Sequence, residues 1–124
     1  MKKILLIEDS KPVIDIWKRL FDFYLKEEKL ILIFAVSLDE AIQKFRLNPD
    51  VELIVVDGCI WGSDDRPNTQ GLVSEIRKTF KGPMIAESSN EEYRKILLSA
   101  GCNYECEKDD VPKKVLRILG LYKE

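Results

Sequence analysis

The stretch Val51 to Gly58 reads VELIVVDG, with four consecutive apolar residues, Leu53 to Val56, running straight into the carboxylate of Asp57. A short unbroken apolar run, rich in β-branched residues and closed by a glycine, reads as a strand buried on both faces, as in a parallel sheet. Asp57 then stands at the carboxyl end of a central strand. In open α/β sheets, ligands and chemistry collect at that edge. An aspartate after a strand can also do no more than open a turn or cap the next helix, so the rest of the chain decides between the two roles.

Upstream, Lys3 to Ile7 (KILLI) is a first buried strand, followed at once by Glu8, Asp9 and Ser10. Pro12 suits the first turn of a helix, with Ser10 as its cap. Val13, Ile16, Trp17, Leu20 and Tyr24 have the three-and-four spacing of one buried helical face. Leu30 to Ala35 makes a second strand. Leu38, Ala41, Ile42 and Phe45 repeat the helical spacing until Asn48-Pro49 breaks it.

Downstream, a long polar connection, GCIWGSDDRPNTQG, precedes a third helix marked by Leu72, Val73, Ile76 and Phe80. Gly82-Pro83 turns the chain into a short fourth strand, Met84 to Ala86, which ends in Glu87, Ser88 and Ser89. Tyr93, Ile96, Leu97 and Ala100 signal a fourth helix that stops at Gly101. Asn103 to Glu107 carries the weakest strand signal, with Tyr104 and Cys106 on one side and Lys108 at its end. The last helix takes Asp110 as cap, Pro112 in its first turn, and Val111, Val115, Ile118, Leu119 and Tyr122 on one face.

Five alternations of strand and helix with short links predict an α/β fold. It is a doubly wound five-stranded parallel sheet of flavodoxin-like order 2-1-3-4-5, with helices on both faces. The 124 residues suit a single domain, 1–124. The carboxyl edge would then gather Glu8 and Asp9, Asp57, Ser88 and Lys108.

Composition narrows the chemistry. With 45% hydrophobic and 34% charged residues the chain has the profile of a globular protein, and 20 basic against 22 acidic residues leave a net charge of -2. No overall field draws it to nucleic acid or to an anionic membrane. The start MKKILLIEDS has too short an apolar run for a signal peptide or membrane span, which points to the cytoplasm. Cys59, Cys102 and Cys106 form no CxxC pair and are odd in number, against a disulfide framework or structural zinc. Histidine is absent. That removes imidazole triads, the usual zinc ligands and any phosphohistidine role, leaving carboxylates, hydroxyls and lysines.

Three carboxylates converging on one edge repel one another unless a cation stands among them, and magnesium prefers such hard oxygen donors. A carboxylate beside such a metal is a competent nucleophile for a phosphoryl group. The charge that develops in transfer would be covered by the metal, the Ser88 hydroxyl and the Lys108 ammonium. A nucleotide site is excluded at the first turn. Glu8-Asp9-Ser10-Lys11-Pro12 is acidic and proline-blocked where free backbone N–H groups would be needed.

In these features the whole chain resembles the receiver domain of two-component response regulators, the single-domain chemotaxis type being the nearest in length. The carriers are Glu8-Asp9 after KILLI, Asp57 after LIVV, Ser88 five residues after Pro83, and Lys108 beyond the Ala100-Gly101 pair. The resemblance implies a response regulator of a phosphorelay: Asp57 accepts a phosphoryl group from a histidine kinase or histidine phosphotransfer protein. Asp9 would bind Mg2+ directly and Glu8 through water, with the backbone carbonyl of Cys59 completing the protein ligands beside Asp57. Phosphorylation would draw in the Ser88 hydroxyl and alter the surface of the fourth helix, fifth strand and fifth helix. Such a chain catalyses at most its own phosphorylation and dephosphorylation, and signals as a monomer or weak dimer to an unknown downstream protein. It contacts neither nucleic acid nor membrane directly. The start at Met1 and the end at Glu124 fit a stand-alone receiver; excision from a hybrid kinase is the other origin.

The departures from the pattern motivate an alternative reading, a pseudo-receiver that binds proteins and is not phosphorylated. The loop after Asp57 is long and holds Trp61, Asp64, Asp65 and Arg66, either a partner-binding lid or, as the expectation here, a surface insertion with Trp61 folded onto the body. Asp109 follows Lys108 where the family has proline. A cis bond before a non-proline costs about 3 to 4 kcal/mol, which leaves open whether this peptide is cis or is trans with Lys108 displaced. Glu105 occupies the family's aromatic position, which puts the coupling of Ser88 to a swinging ring in doubt. Ser89 and Asn90 are small and polar, leaving water access to a phosphoryl group. Lys113, Lys114 and Arg117 read as a solvated face rather than a partner patch.

Overall fold

The computed structural model describes residues 1–25, 30–60 and 68–122. Five strands, β1 (Lys2–Ile7), β2 (Leu30–Ala35), β3 (Leu53–Asp57), β4 (Met84–Glu87) and β5 (Tyr104–Cys106), form one sheet in the order 2-1-3-4-5, every pair parallel. Between them run α1 (Lys11–Leu25), α2 (Leu38–Leu47), α3 (Gln70–Arg77) and α4 (Glu91–Ala100). A 3-10 turn, Lys108–Asp110, leads into α5 (Val111–Ile118). This is the expected doubly wound sheet. Among the described residues no helix is long and apolar enough to cross a membrane.

The alternation of side chains along each strand divides the core in two. Leu5, Ile7, Ile54, Val56, Met84 and Ala86 pack with Ala41, Val73, Ile76 and Leu97, under α2, α3 and α4. Ile4, Leu6, Leu53, Val55 and Ile85 pack with Trp17, Phe21, Val111, Val115 and Leu116, under α1 and α5. Continuing each row of the second face by one step gives Glu8 after Leu6, Asp57 after Val55 and Glu87 after Ile85. Three carboxylates thus arrive on one side of the sheet at its carboxyl edge.

Several local readings are corrected by packing. The buried residues of α1 are Ile14, Trp17 and Phe21, while Ile16 is 47% exposed. The helix is turned relative to the expected stripe because its partners are the strand row of the second face and α5. Strand β4 runs one residue further than expected, to Glu87, which is fully buried. Phe80 packs in the core from beyond the end of α3, and Leu38 remains 38% exposed. The Asp110 side chain makes no cap, since the 3-10 turn feeds α5 directly. Tyr122 lies past α5 and returns to it, its N–H donating to the Leu116 carbonyl at 3.2 Å. Ser10 caps α1 as expected, its Oγ accepting from Val13 N at 3.4 Å. Gly101, with φ of 141°, ends α4.

Candidate functional site

Carboxylates delivered by three strand ends converge on the ammonium of Lys108, which follows a fourth. Its Nζ lies 2.6 Å from Glu8 Oε1, 3.1 Å from Asp57 Oδ2 and 3.1 Å from Glu87 Oε1. The three carboxylate side chains are almost fully enclosed, whereas 28% of the Lys108 side chain remains accessible. Glu8 is held at both ends, its Oε2 accepting from Ser10 N at 3.1 Å. Asp57 Oδ1 accepts from Cys59 N at 3.2 Å, and the Asp57 carbonyl accepts from the buried Thr69 hydroxyl at 2.6 Å. Glu87 differs from both. Lys108 approaches it off the hydrogen-bonding direction, and neither of its oxygens accepts from a fixed donor among the described residues; its contact with Glu8 is one carboxyl against another, a hydrogen bond only while they share a proton.

The Lys108 backbone is fixed independently. No peptide bond among the described residues is cis, so Lys108-Asp109 is trans. The displacement of Lys108 does not follow, because the buried Trp17 indole donates to its carbonyl at 2.8 Å. That bond and the three carboxylates hold the ammonium at the edge without a proline. Trp17 reads from the sequence as core, and it is core; its polar role depends on a residue 91 positions away.

The charges set the acidities. Burial, then the charge of Glu8, raises Asp57 from 3.8 to about 7, against the pull of Lys108. Burial, then the charges of Asp57 and Glu8, pushes Glu87 well above 4.5. Burial also pushes Glu8 upward, but the neighbouring Glu87 and Asp57 carboxyls and the Lys108 ammonium favour its charged form and leave it below 4.5. Burial opposes the charge on Lys108; Glu87, Asp57 and Glu8 outweigh it and hold the ammonium above its ordinary 10.5. In the metal-free cluster Glu8 is therefore the carboxyl most readily ionised, while Asp57 and Glu87 hold their protons to higher pH than ordinary carboxyls.

Glu8, Asp9 and Asp57 each offer a carboxylate oxygen, and these atoms lie within 4.8 Å of one another. A set of three hard oxygen donors fits a magnesium-like cation. Glu87 is not part of that set. Of the expected site residues, Glu8, Asp9, Asp57 and Lys108 are brought together, and Ser88 is a partial exception. Ser88 is buried, but its Oγ accepts from Asn90 N at 3.0 Å in its own turn. It lies one residue past the end of β4, whose last residue, Glu87, is the register partner of Asp57. Glu87 is the residue the sequence reading missed as a site group. An available signal was the shared pattern of LIVVD and MIAE, an apolar run closed by an acid.

Neighbouring features frame the site. Gly58 follows Asp57 where a Cβ would stand 2.9 Å from Tyr93 Cβ, so the chain passes α4 too closely for a side chain. Asn68 closes the base of the long connection, its amide donating to the Ile60 carbonyl and accepting from Ile60 N, both at 2.9 Å. Trp61, Asp64, Asp65 and Arg66 lie outside the described residues. Glu105, at the position expected to be aromatic, pairs with Arg94 Nε at 3.1 Å, and Arg94 Nη1 donates to the Ser88 carbonyl at 2.6 Å. Lys113, Lys114 and Arg117 each lie over a tyrosine ring, those of Tyr24, Tyr104 and Tyr122. The Cys102 and Cys106 thiols are pushed up to about 12, first by burial, and are inert packing groups.

No family model and no curated protein matches the sequence. Solved structures do match the fold. The signal receiver domain of a DNA-binding response regulator from Colwellia psychrerythraea superposes with a TM-score of 0.74 at 15% identity, covering 97% of this chain and 99% of that one. A response regulator receiver protein from Pseudoalteromonas atlantica gives 0.72 at 14%, covering 95% and 97%. A receiver domain protein from Clostridium thermocellum gives 0.70 at 14%, covering 97% and 95%. The chain has the response regulator receiver fold over nearly its whole length.

Proposed function

We propose that this chain is a phosphoacceptor receiver of a two-component phosphorelay, taking a phosphoryl group on Asp57 from a histidine kinase or histidine phosphotransfer protein. The observation that carries the reading is the Lys108 ammonium bridging Asp57 and Glu8 beside the Glu8, Asp9 and Asp57 oxygens, on a sheet with the receiver fold. Glu8, Asp9 and Asp57, with the Cys59 carbonyl, would hold Mg2+, which when bound supplies positive charge for the phosphoryl oxygens. Asp57 would attack phosphorus through a carboxylate oxygen; the new O–P bond forms as the donor's P–N bond breaks. Lys108 then follows the negative charge from the carboxylate to the phosphoryl group. Ser88 must leave its bond with Asn90 N to reach the same group, so its recruitment would rearrange the start of α4.

The proposed activity stops at the chain's own phosphorylation and dephosphorylation, in a cytoplasmic setting, with output through an unknown downstream protein or onward relay to a histidine carrier. Intact-protein mass after acetyl phosphate treatment tests it. A single phosphate adduct requiring both magnesium and Asp57, and absent from Asp57→Asn, is the expected result. The fourth carboxylate, Glu87, favours a second reading, a non-phosphorylated interaction module, because it adds an acid where phosphate would bring more negative charge. No adduct from acetyl phosphate or from a partner kinase would select that reading.

A further inference from the structure

Glu87 is buried completely, accepts no hydrogen bond from a fixed donor on either oxygen among the described residues, and stands 3.1 Å from an ammonium that is also bound to two members of the cation donor set. A divalent cation entering among Glu8, Asp9 and Asp57 meets Lys108 already on Glu8 and Asp57. Two positive groups on the same carboxylates repel at short range, so the ammonium must yield. Its backbone is tied by the Trp17 indole, which donates to the Lys108 carbonyl at 2.8 Å. The side chain can turn. An acceptor outside the donor set already stands 3.1 Å away in Glu87, whose two oxygens face the Glu8 carboxyl but accept no hydrogen bond from a fixed donor among the described residues.

We propose that Glu87 receives the Lys108 ammonium when a divalent cation takes up Glu8, Asp9 and Asp57, so that the lysine stays inside the site while the metal replaces it on Asp57. Glu87 acts as a positioning residue, reaching the metal only through Lys108. The inference rests on the cation part of the reading above and does not need phosphorylation. It leaves Lys108 next to Asp57 and ready to turn back when negative charge accumulates there.

The test is a double-mutant cycle on binding of Mn2+ alone, followed by electron paramagnetic resonance of the free ion, with Mg2+ calorimetry as a second probe. The four proteins are the wild type, Glu87→Gln, Lys108→Met and the double variant. With Lys108 present, Glu87→Gln is expected to weaken binding about tenfold, since the ammonium then keeps competing for Glu8 and Asp57; with Lys108→Met the same change should weaken it less than about twofold. Equal losses in both backgrounds would show Glu87 acting only as general negative charge and would overturn the exchange, as would unchanged or tighter binding in Glu87→Gln. No binding of either ion by the wild type would instead overturn the cation reading, and the exchange with it. If Glu87→Gln does not fold, Glu87→Met in both backgrounds gives the same comparison.

Discussion

At the scale of single residues, the site is a problem of four acids and one ammonium. Asp57 and Glu87 have acidities raised in the folded protein, by burial and then by neighbouring carboxylates. A raised acid binds more protons when folded than when unfolded, so it contributes stability that is fully present below its unfolded pKa and is lost as pH rises through the folded value. For Asp57 that window runs from 3.8 to about 7. Glu8 runs the other way, but its window lies below 4.5. Metal-free protein should therefore lose stability between pH 4.5 and about 7, by up to about 1.4 kcal/mol per pH unit for each proton released. Urea unfolding in chelator measures the slope. Asp57→Asn and saturating magnesium should each flatten it, and a stability that rises over this range would contradict the assignment.

At the scale of elements, α1 shows how local spacing leaves a helix face open by one step. Val13, Ile16, Trp17, Leu20 and Tyr24 form a legitimate stripe, but Ile14, Trp17 and Phe21 are the residues that become buried. The choice follows from Trp17, whose indole must reach the Lys108 carbonyl while its ring lies on the second-face row. The two neighbouring isoleucines then separate in energy. Ile14→Ala should destabilise by about 2 to 4 kcal/mol through transfer and cavity losses, whereas Ile16→Ala should cost less than about 0.5 kcal/mol. Chemical denaturation of the pair distinguishes the two phases. Comparable losses at both positions would restore the broader stripe.

At the scale of the whole molecule, strand order grades stability across the sheet. β3 is buried at all five positions and paired on both sides, while β5 is a three-residue edge with Tyr104 exposed. Local opening at an edge exposes little apolar surface, so its amides should exchange sooner than those of the centre. Native-state hydrogen exchange should show β1 and β3 amides slower than those of β5 by about 10- to 100-fold. Equal protection would mean that the sheet opens only as one unit.

The alternation of elements, the buried character of LIVV, the acids at the strand ends and the absence of histidine were all legible in the amino-acid sequence, because each depends on neighbours a few residues apart. Within that local reach, Glu8, Asp9, Asp57 and Lys108 could be assigned to one edge. The pairing of Asp57 with Glu87, the turn of α1 about its axis and the hold of Trp17 on Lys108 were decided only in the tertiary structure. Strand register and helix phase are chosen by packing between segments distant in the chain, and a one-residue shift exchanges the buried and exposed faces at no local cost. The same parity that buries Leu53 and Val55 under α1 and α5 carries Asp57 to Lys108, and through the β3–β4 register it brings Glu87 to that ammonium as well.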